Sequence, residues 1–170
     1  MRRTRTSTAG DARGKTTARV AALRLLAQRR LTEAQLWTRL ERRGYAQEEI
    51  AATVASCKRD GFVDDALFAR LFVDGRGKAV GNARLVAELV RRGIDRHAAH
   101  ESVVTAEREE SQRLAAAAGK LFRTRASLSY PSAARALERL GFPSPLIYRH
   151  LRERAALDLT VIEEMPPASP

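Results

Sequence analysis

The sequence predicts an all-α protein in which three tandem three-helix repeats form an elongated, curved array. Three observations predict this fold class. Ala and Leu supply most of the apolar residues, which make up 44% of the chain, whereas β-branched and aromatic residues are few; this composition favours helices that pack through small side chains. Three segments of the chain align with one another without a gap. Each contains a glycine directly after an amphipathic helical pattern, where helices commonly end.

The repeat is defined by apolar residues at fixed distances from Gly44, Gly93 and Gly141, which stand 49 and 48 residues apart. Leucine occupies the fourth position before each glycine, and apolar residues occupy the first, sixth and tenth positions after it. These equivalent residues are Leu40, Leu89 and Leu137; Tyr45, Ile94 and Phe142; Ile50, Ala99 and Ile147; and Val54, Val103 and Leu151. The alternative is a set of unrelated amphipathic helices, since helices rich in Ala and Leu align easily.

Each repeat should contain a first helix, a middle helix that ends at the glycine, and a third helix. The first helices are predicted at residues 18–29, 64–74 and 107–123. Gly75 should end the second of them. The predicted repeats therefore cover residues 18–60, 62–106 and 107–157. Each repeat is too small to stand alone and should be stabilised by its neighbours.

Capping residues mark where several of these helices begin. Thr32 and Gln35 have the spacing of a capping box at the start of the first middle helix. Asp95 should cap one third helix, and Ser144 followed by Pro145 should begin another. The three repeat glycines should adopt a positive φ, because a left-handed residue closes the preceding helix.

Both ends of the chain lack the repeat pattern. Residues 1–17 are predicted to form a flexible basic N-terminal tail, because they hold too few apolar residues to offset the entropy of ordering. Residues 158–170 are predicted to form a C-terminal tail. Setting both aside leaves 26 of the 31 basic and 16 of the 20 acidic residues, so the excess of positive charge belongs to the repeats.

The formal net charge of +11 predicts an anionic partner. Nearly all the cations are arginine, which binds phosphate and carboxylate groups with two hydrogen bonds, although a high arginine content can also reflect a GC-rich genome. The candidate partner- and DNA-binding residues are Arg39, Arg42, Arg43, Arg76, Lys78, Arg84, Arg91, Arg92, Arg135 and Arg139. Helix capping is the alternative role for any single one; their repetition favours a binding surface.

The sequence predicts neither an enzyme nor a cofactor or metal site. It has no phosphate-binding glycine loop, zinc-binding cysteine spacing or nucleophile elbow. His97 and His100 are interpreted as surface residues, and Trp37 as a half-buried core residue rather than a base-stacking one. Acidic residues near the start of a third helix, at Glu48 and Glu49, disfavour sequence-specific reading of DNA by that helix.

The cellular location is predicted from two features. Cys57 is the single cysteine and cannot form an intrachain disulfide, which favours a reducing compartment, and its apolar neighbours indicate core packing. No stretch approaches the apolar length of a membrane span. We therefore expect a cytoplasmic protein.

Three segments resemble the RecX family, whose members are bacterial regulators of the RecA recombinase. They are ALRLLAQRRLTEAQLWTRLERRGYAQEEI, DGFVDDALFARLFV and GNARLVAELVRRGI. The second is the most specific, with Asp64 and Asp65 followed by Phe68 and Ala69. The third repeat matches mainly in LERLGF and LIYRHL. The resemblance covers roughly residues 18–156.

The resemblance implies three tandem three-helix units that bind along the groove of the RecA–DNA filament. It implies a non-enzymatic regulator in DNA repair and the SOS response that mainly inhibits the recombinase, ATPase and co-protease activities of RecA. The expected partners are the RecA filament and single- and double-stranded DNA, the latter through phosphate contacts; no membrane and no cofactor is involved, and the protein should be a monomer. The alternative is a DNA-binding protein without sequence preference that acts without RecA.

Overall fold

The computed structural model describes residues 16–76, 79–106, 109–125 and 128–163, which form α-helices and no strand. In chain order these are α1 (Ala18–Gln28), α2 (Glu33–Glu41), α3 (Gln47–Arg59), α4 (Asp65–Arg76), α5 (Asn82–Val90), α6 (Arg96–Val104), α7 (Glu110–Thr124), α8 (Tyr130–Arg139) and α9 (Ser144–Glu163). The predicted all-α class is confirmed. Residues 1–15 and 164–170, which belong to the two predicted tails, lie outside the described residues.

The helices pack in three groups of three consecutive helices, α1–α3, α4–α6 and α7–α9. Each group has its own buried cluster. Each cluster contains the leucine four positions before the repeat glycine and the apolar residues six and ten positions after it, so the spacing that defined the repeat is the spacing of the core. The chain divides into two compact units, the first ending at Val63 and the second beginning at Asp64. The second and third groups therefore share one unit.

The three repeat glycines end the middle helices in a left-handed conformation, as predicted. Gly44, Gly93 and Gly141 have φ values of 78°, 87° and 89°. The N–H of each donates to the carbonyl three residues earlier at 2.8–2.9 Å, and the N–H of the next residue donates to the repeat leucine at 3.2–3.4 Å. Together these bonds satisfy carbonyls that a helix end otherwise leaves without a partner.

Two of the predicted caps are present. The hydroxyl oxygen of Thr32 accepts the N–H of Gln35 at 3.1 Å, and the Gln35 side chain accepts the N–H of Thr32 at 3.5 Å, which completes the capping box. Asp95 accepts the N–H groups of Ala98 and His97 at the start of α6. These backbone hydrogen bonds, that of Ala98 first, hold the pKa of Asp95 below its ordinary value.

The prediction that Gly75 ends α4 is wrong, because the helix runs through Gly75 to Arg76. Gly75 does not have a positive φ. A glycine inside a helix costs about 1 kcal/mol relative to alanine without breaking it, and the sequence does not distinguish this case from a terminating glycine.

The start of α9 also differs from its prediction. Ser144 does not accept a backbone N–H; its hydroxyl donates to Glu138 at 2.9 Å. The carbonyl of Pro143 receives the N–H groups of the first turn, including that of Ile147 at 3.1 Å. The helix then continues to Glu163, so the predicted end of the third repeat, residue 157, lies within it. In the same group, α7 begins at residue 110 rather than at 107.

Two glycines allow close backbone approach inside the second unit. The N–H of Gly81, at the start of α5, donates to the carbonyl of Leu140 at 2.9 Å. A Cβ on Gly81 would lie 2.1 Å from the carbonyl oxygen of Gly141, and one on Gly141 would lie 2.6 Å from the Cβ of Arg84. The beginning of α5 therefore rests on the turn that ends α8, at a distance that only glycine permits.

A buried arginine adds polar contacts beside this approach. Arg113 of α7 is 2% exposed, and its guanidinium donates to the carbonyl of Val80 at 3.2 Å and to the side-chain oxygen of Asn82. The N–H of Asn82 in turn donates to Glu110 at 2.6 Å. Burial lowers the pKa of Arg113, and the charge of Glu110 opposes that effect. This arginine therefore ties the third group to the second.

Replacing Gly93 with valine should lower the free energy of unfolding by about 1 kcal/mol or more, because a β-branched residue strains at positive φ. Thermal unfolding followed by circular dichroism measures the effect. Gly75→Ala is the matched control, since nothing lies within 4 Å of the position its Cβ would take; its melting temperature should be unchanged or higher. If the Gly93→Val protein were as stable as the parent, a left-handed conformation at position 93 would be contradicted.

Replacing Gly81 with alanine should destabilise the second unit by roughly 1–3 kcal/mol through steric overlap alone, because the φ of Gly81 is −78° and suits any residue. Amide hydrogen exchange should speed up in α5 and α8 and stay unchanged in α1–α3. Unaltered exchange in α5 and α8 would show that this approach does not stabilise the unit.

Candidate functional site

One arginine repeats at the same place in all three groups. Arg42, Arg91 and Arg139 each stand two positions before the repeat glycine, at the C-terminal end of the middle helix. All three side chains are exposed, and within the described residues none forms a hydrogen bond or an ion pair. The helix dipole favours a cation there by about 0.3–1 kcal/mol. The donors of each guanidinium nevertheless face solvent, where they can bind an anion.

The first group adds a cluster of like charges around this position. Arg39 is half-buried in the last turn of α2, and the pKa of its guanidinium is lowered, first by burial and then by the charges of Arg29, Arg43 and Arg42. Arg43 donates to the carbonyl of Arg39 at 3.4 Å. Arg39 thus lies within electrostatic reach of three other guanidinium groups. A bound anion would relieve their mutual repulsion.

The carboxylates of the first unit that form ion pairs do so with other cations. Glu33 pairs with Lys58 at 2.5 Å, and Asp60 pairs with Arg19 at 2.8 Å. Among the described residues, no carboxylate pairs with the four clustered arginines. Arg29, which follows the last residue of α1, was not among the predicted candidates; the two consecutive arginines that end the first helical pattern were the available signal.

In the second group, two predicted candidates are held by a buried carboxylate. Glu88 has a side chain 5% exposed, and Arg84 and Arg92 approach its oxygens at 3.2 Å and 3.8 Å. Arg92 also donates to the carbonyl of Glu88 at 2.6 Å, and its guanidinium carbon lies 4.4 Å from the centre of the Phe72 ring. Arg84 donates to the carbonyl of Arg139 at 3.3 Å. Both side chains therefore contact other parts of the fold, although that of Arg84 is 42% exposed, and Arg91 is the exposed candidate without such a contact among the described residues.

Of the remaining candidates, Arg135 belongs to the third group, and Arg76 and Lys78 stand at or just after the end of α4 in the sequence. Arg135 of α8 is exposed, and its guanidinium lies 3.4 Å from the hydroxyl of Ser132. Arg76 is the last residue of α4, but its side chain and all of Lys78 lie outside the described residues.

The residues considered for other roles lie where the sequence predicts. Trp37 is half-buried and packs against the first core, and Cys57 is fully buried, which raises the pKa of its thiol. His97 and His100 are exposed. In the described part of the chain, no three His, Cys, Asp or Glu residues are grouped as a metal site. No helix of that part combines the length and apolarity that crossing a membrane requires.

Known proteins resemble this chain in sequence. The sequence model of the first three-helix domain of RecX matches residues 18–57. The regulatory protein RecX of Thermobifida fusca is 35% identical over 147 residues, which is 80% of this chain and 77% of the relative. The regulatory protein RecX of Amycolatopsis mediterranei is 34% identical over 139 residues, or 76% of this chain and 78% of the relative.

A solved structure has the same fold. The crystal structure of RecX from Lactobacillus salivarius superposes with a TM-score of 0.71 and covers 84% of this chain and 95% of its own, at 19% sequence identity. That likeness supports the fold, and the sequence matches extend over most of the chain and of its relatives. The chain belongs to the RecX family of regulatory proteins.

Proposed function

We propose that this regulatory protein binds the RecA–DNA filament and limits the recombinase, ATPase and co-protease activities of RecA. Membership of the RecX family supports a regulatory role. The observation that carries the proposal is the exposed arginine at the same position of all three helix groups. A partner with repeated anionic sites, such as a nucleoprotein filament, is the kind that repeated cations fit.

The proposed mechanism is occupancy of the filament groove. Each exposed guanidinium contributes a weak contact, because an exposed ion pair is worth about 0.2–1 kcal/mol. Three contacts on one chain act together, since binding through one raises the effective concentration of the others. A chain bound in this way would exclude the DNA strand and the co-protease substrates from the groove. This mechanism requires no cofactor and no chemical step.

A second candidate function is binding to DNA without RecA. Arg39 and the three arginines whose charges lower its pKa, Arg29, Arg42 and Arg43, favour it, because cations without an ion-paired carboxylate among the described residues attract phosphate groups of any sequence. Affinity for bare DNA would then fall steeply with salt and would not depend on sequence. Binding of this kind would also raise the local concentration of the protein at a filament, so the two functions are compatible.

Replacing Arg42, Arg91 and Arg139 together with alanine should weaken inhibition of the RecA ATPase by about 3- to 150-fold. This range follows from the loss of three contacts of about 0.2–1 kcal/mol each. The assay measures ATP hydrolysis by RecA filaments with single-stranded DNA in excess, because excess DNA absorbs a protein that merely competes for strands.

The matched control is a chain in which Arg24, Arg96 and Arg149 are replaced with alanine. These residues are also exposed, lie one in each group and change the net charge equally. The control should inhibit as the parent does. Both proteins should keep their helix content by circular dichroism. Equal loss in both would mean that only net charge matters, and wild-type inhibition by the Arg42, Arg91 and Arg139 variant would refute the proposed contacts.

A further inference from the structure

A groove between α8 and α9 combines aromatic rings with arginines. Tyr130 and Arg135 of α8 line one side, and Tyr148 and Arg152 of α9 line the other, with Leu151 at the edge of the core below them. Its volume is about 360 Å³, which falls in the range of small-ligand sites, about 300–1,000 Å³. The groove lies entirely within the third helix group.

The chemistry of the groove specifies its ligand. Tyr148 is 50% exposed and Tyr130 is 36% exposed, although Tyr130 also packs against Phe122 with ring centres 5.8 Å apart. Arg152 is exposed and forms no ion pair or hydrogen bond within the described residues. Arg135 contacts the hydroxyl of Ser132 only at 3.4 Å. None of the described residues that line the groove is a carboxylate. A ligand with a flat, largely apolar part and adjoining negative charge fits these features.

The fold does not require these side chains. At the positions equivalent to Tyr130, Arg135, Tyr148 and Arg152, the first group has Glu33, Thr38, Ala51 and Ala55, and the second has Asn82, Ala87, His100 and Val104. Neither group has a tyrosine, a phenylalanine or an arginine at any of these positions, yet each forms the same three-helix core. This combination of side chains is therefore specific to the third group and is not needed to form its core.

We propose that this groove binds an unpaired base of single-stranded nucleic acid. The base stacks on the exposed face of Tyr148, and Arg135 and Arg152 contact the phosphates on either side of it. Stacking on an aromatic ring accepts any base, because every base presents a flat π face. A duplex keeps its bases stacked within the helix, so the site discriminates in favour of single strands. An acidic peptide shares the negative charge, but the open ring of Tyr148 suits a flat base better.

This inference deepens the second candidate function, DNA binding without RecA, on which it rests: it adds a contact to the bases, whereas that function requires only contacts to phosphates. The test uses the full chain and two fluorescein-labelled probes of equal length. One probe is a short oligothymidylate, and the other is the same sugar–phosphate backbone without bases. Both carry the same phosphates, so a difference between them reports contacts to the bases.

Tyr148→Ala should weaken binding of oligothymidylate by about 5- to 150-fold, the range expected for loss of one base–aromatic stack. Its binding to the abasic probe should be unchanged. Tyr148→Phe, which retains the ring, should bind both probes as the parent does. His100→Ala, at the equivalent exposed position of the second group, is the control and should bind both probes normally. Arg152→Ala should weaken binding of both probes.

Three outcomes would overturn the inference. They are unchanged oligothymidylate binding by Tyr148→Ala, equal loss on both probes, and absence of oligothymidylate binding by the parent chain. Photocrosslinking of a 4-thiothymidine oligonucleotide to the unaltered protein gives an independent reading, which should map to α8 or α9. If Tyr148→Ala instead binds DNA normally but inhibits RecA filaments less, the groove belongs to a protein partner, and the proposed function stands without this inference.

Discussion

The left-handed glycine at the end of each middle helix is the constraint on which the rest of the structure depends. With φ between 78° and 89°, Gly44, Gly93 and Gly141 stop the helix within one residue. The turn directs the next apolar side chain towards the core and begins the third helix at a fixed offset. It also leaves the arginine two positions earlier in solvent. One local conformation thus determines both the packing of each group and the place of its exposed cation.

Much of the fold could be predicted because its determinants are local. Glycine spacing, the capping box at Thr32 and the cap at Asp95 each involve residues a few positions apart, and periodic apolar residues identified the core. Features that depend on distant partners could not be predicted. The burial of Arg113 depends on Val80 and Asn82, far away in the chain. The glycine at position 81 is required only because the turn after α8 lies against it.

The candidate binding residues could likewise be predicted only where their surroundings depend on residues nearby in the chain. The exposed arginines two positions before each glycine follow from the repeat itself. Arg84 and Arg92 looked equivalent to them in sequence, but Glu88 is buried between them, and only tertiary packing reveals that. The groove between α8 and α9 could not be predicted from the sequence, because its side chains come from two helices and do not recur in the other repeats. The three groups therefore share a core and an exposed cation but differ around it: further arginines in the first, a buried carboxylate that contacts two arginines in the second, and aromatic rings in the third.

We propose that this RecX-family protein binds a RecA–DNA filament in preference to DNA alone. The most direct measurement compares the affinity of the full chain for RecA filaments with its affinity for the same single-stranded DNA without RecA, at one moderate salt concentration. We expect clear preference for the filament, because protein and phosphate surfaces there contribute together. Equal affinity for filament and bare DNA would contradict the claim and leave a general DNA-binding protein with the RecX fold.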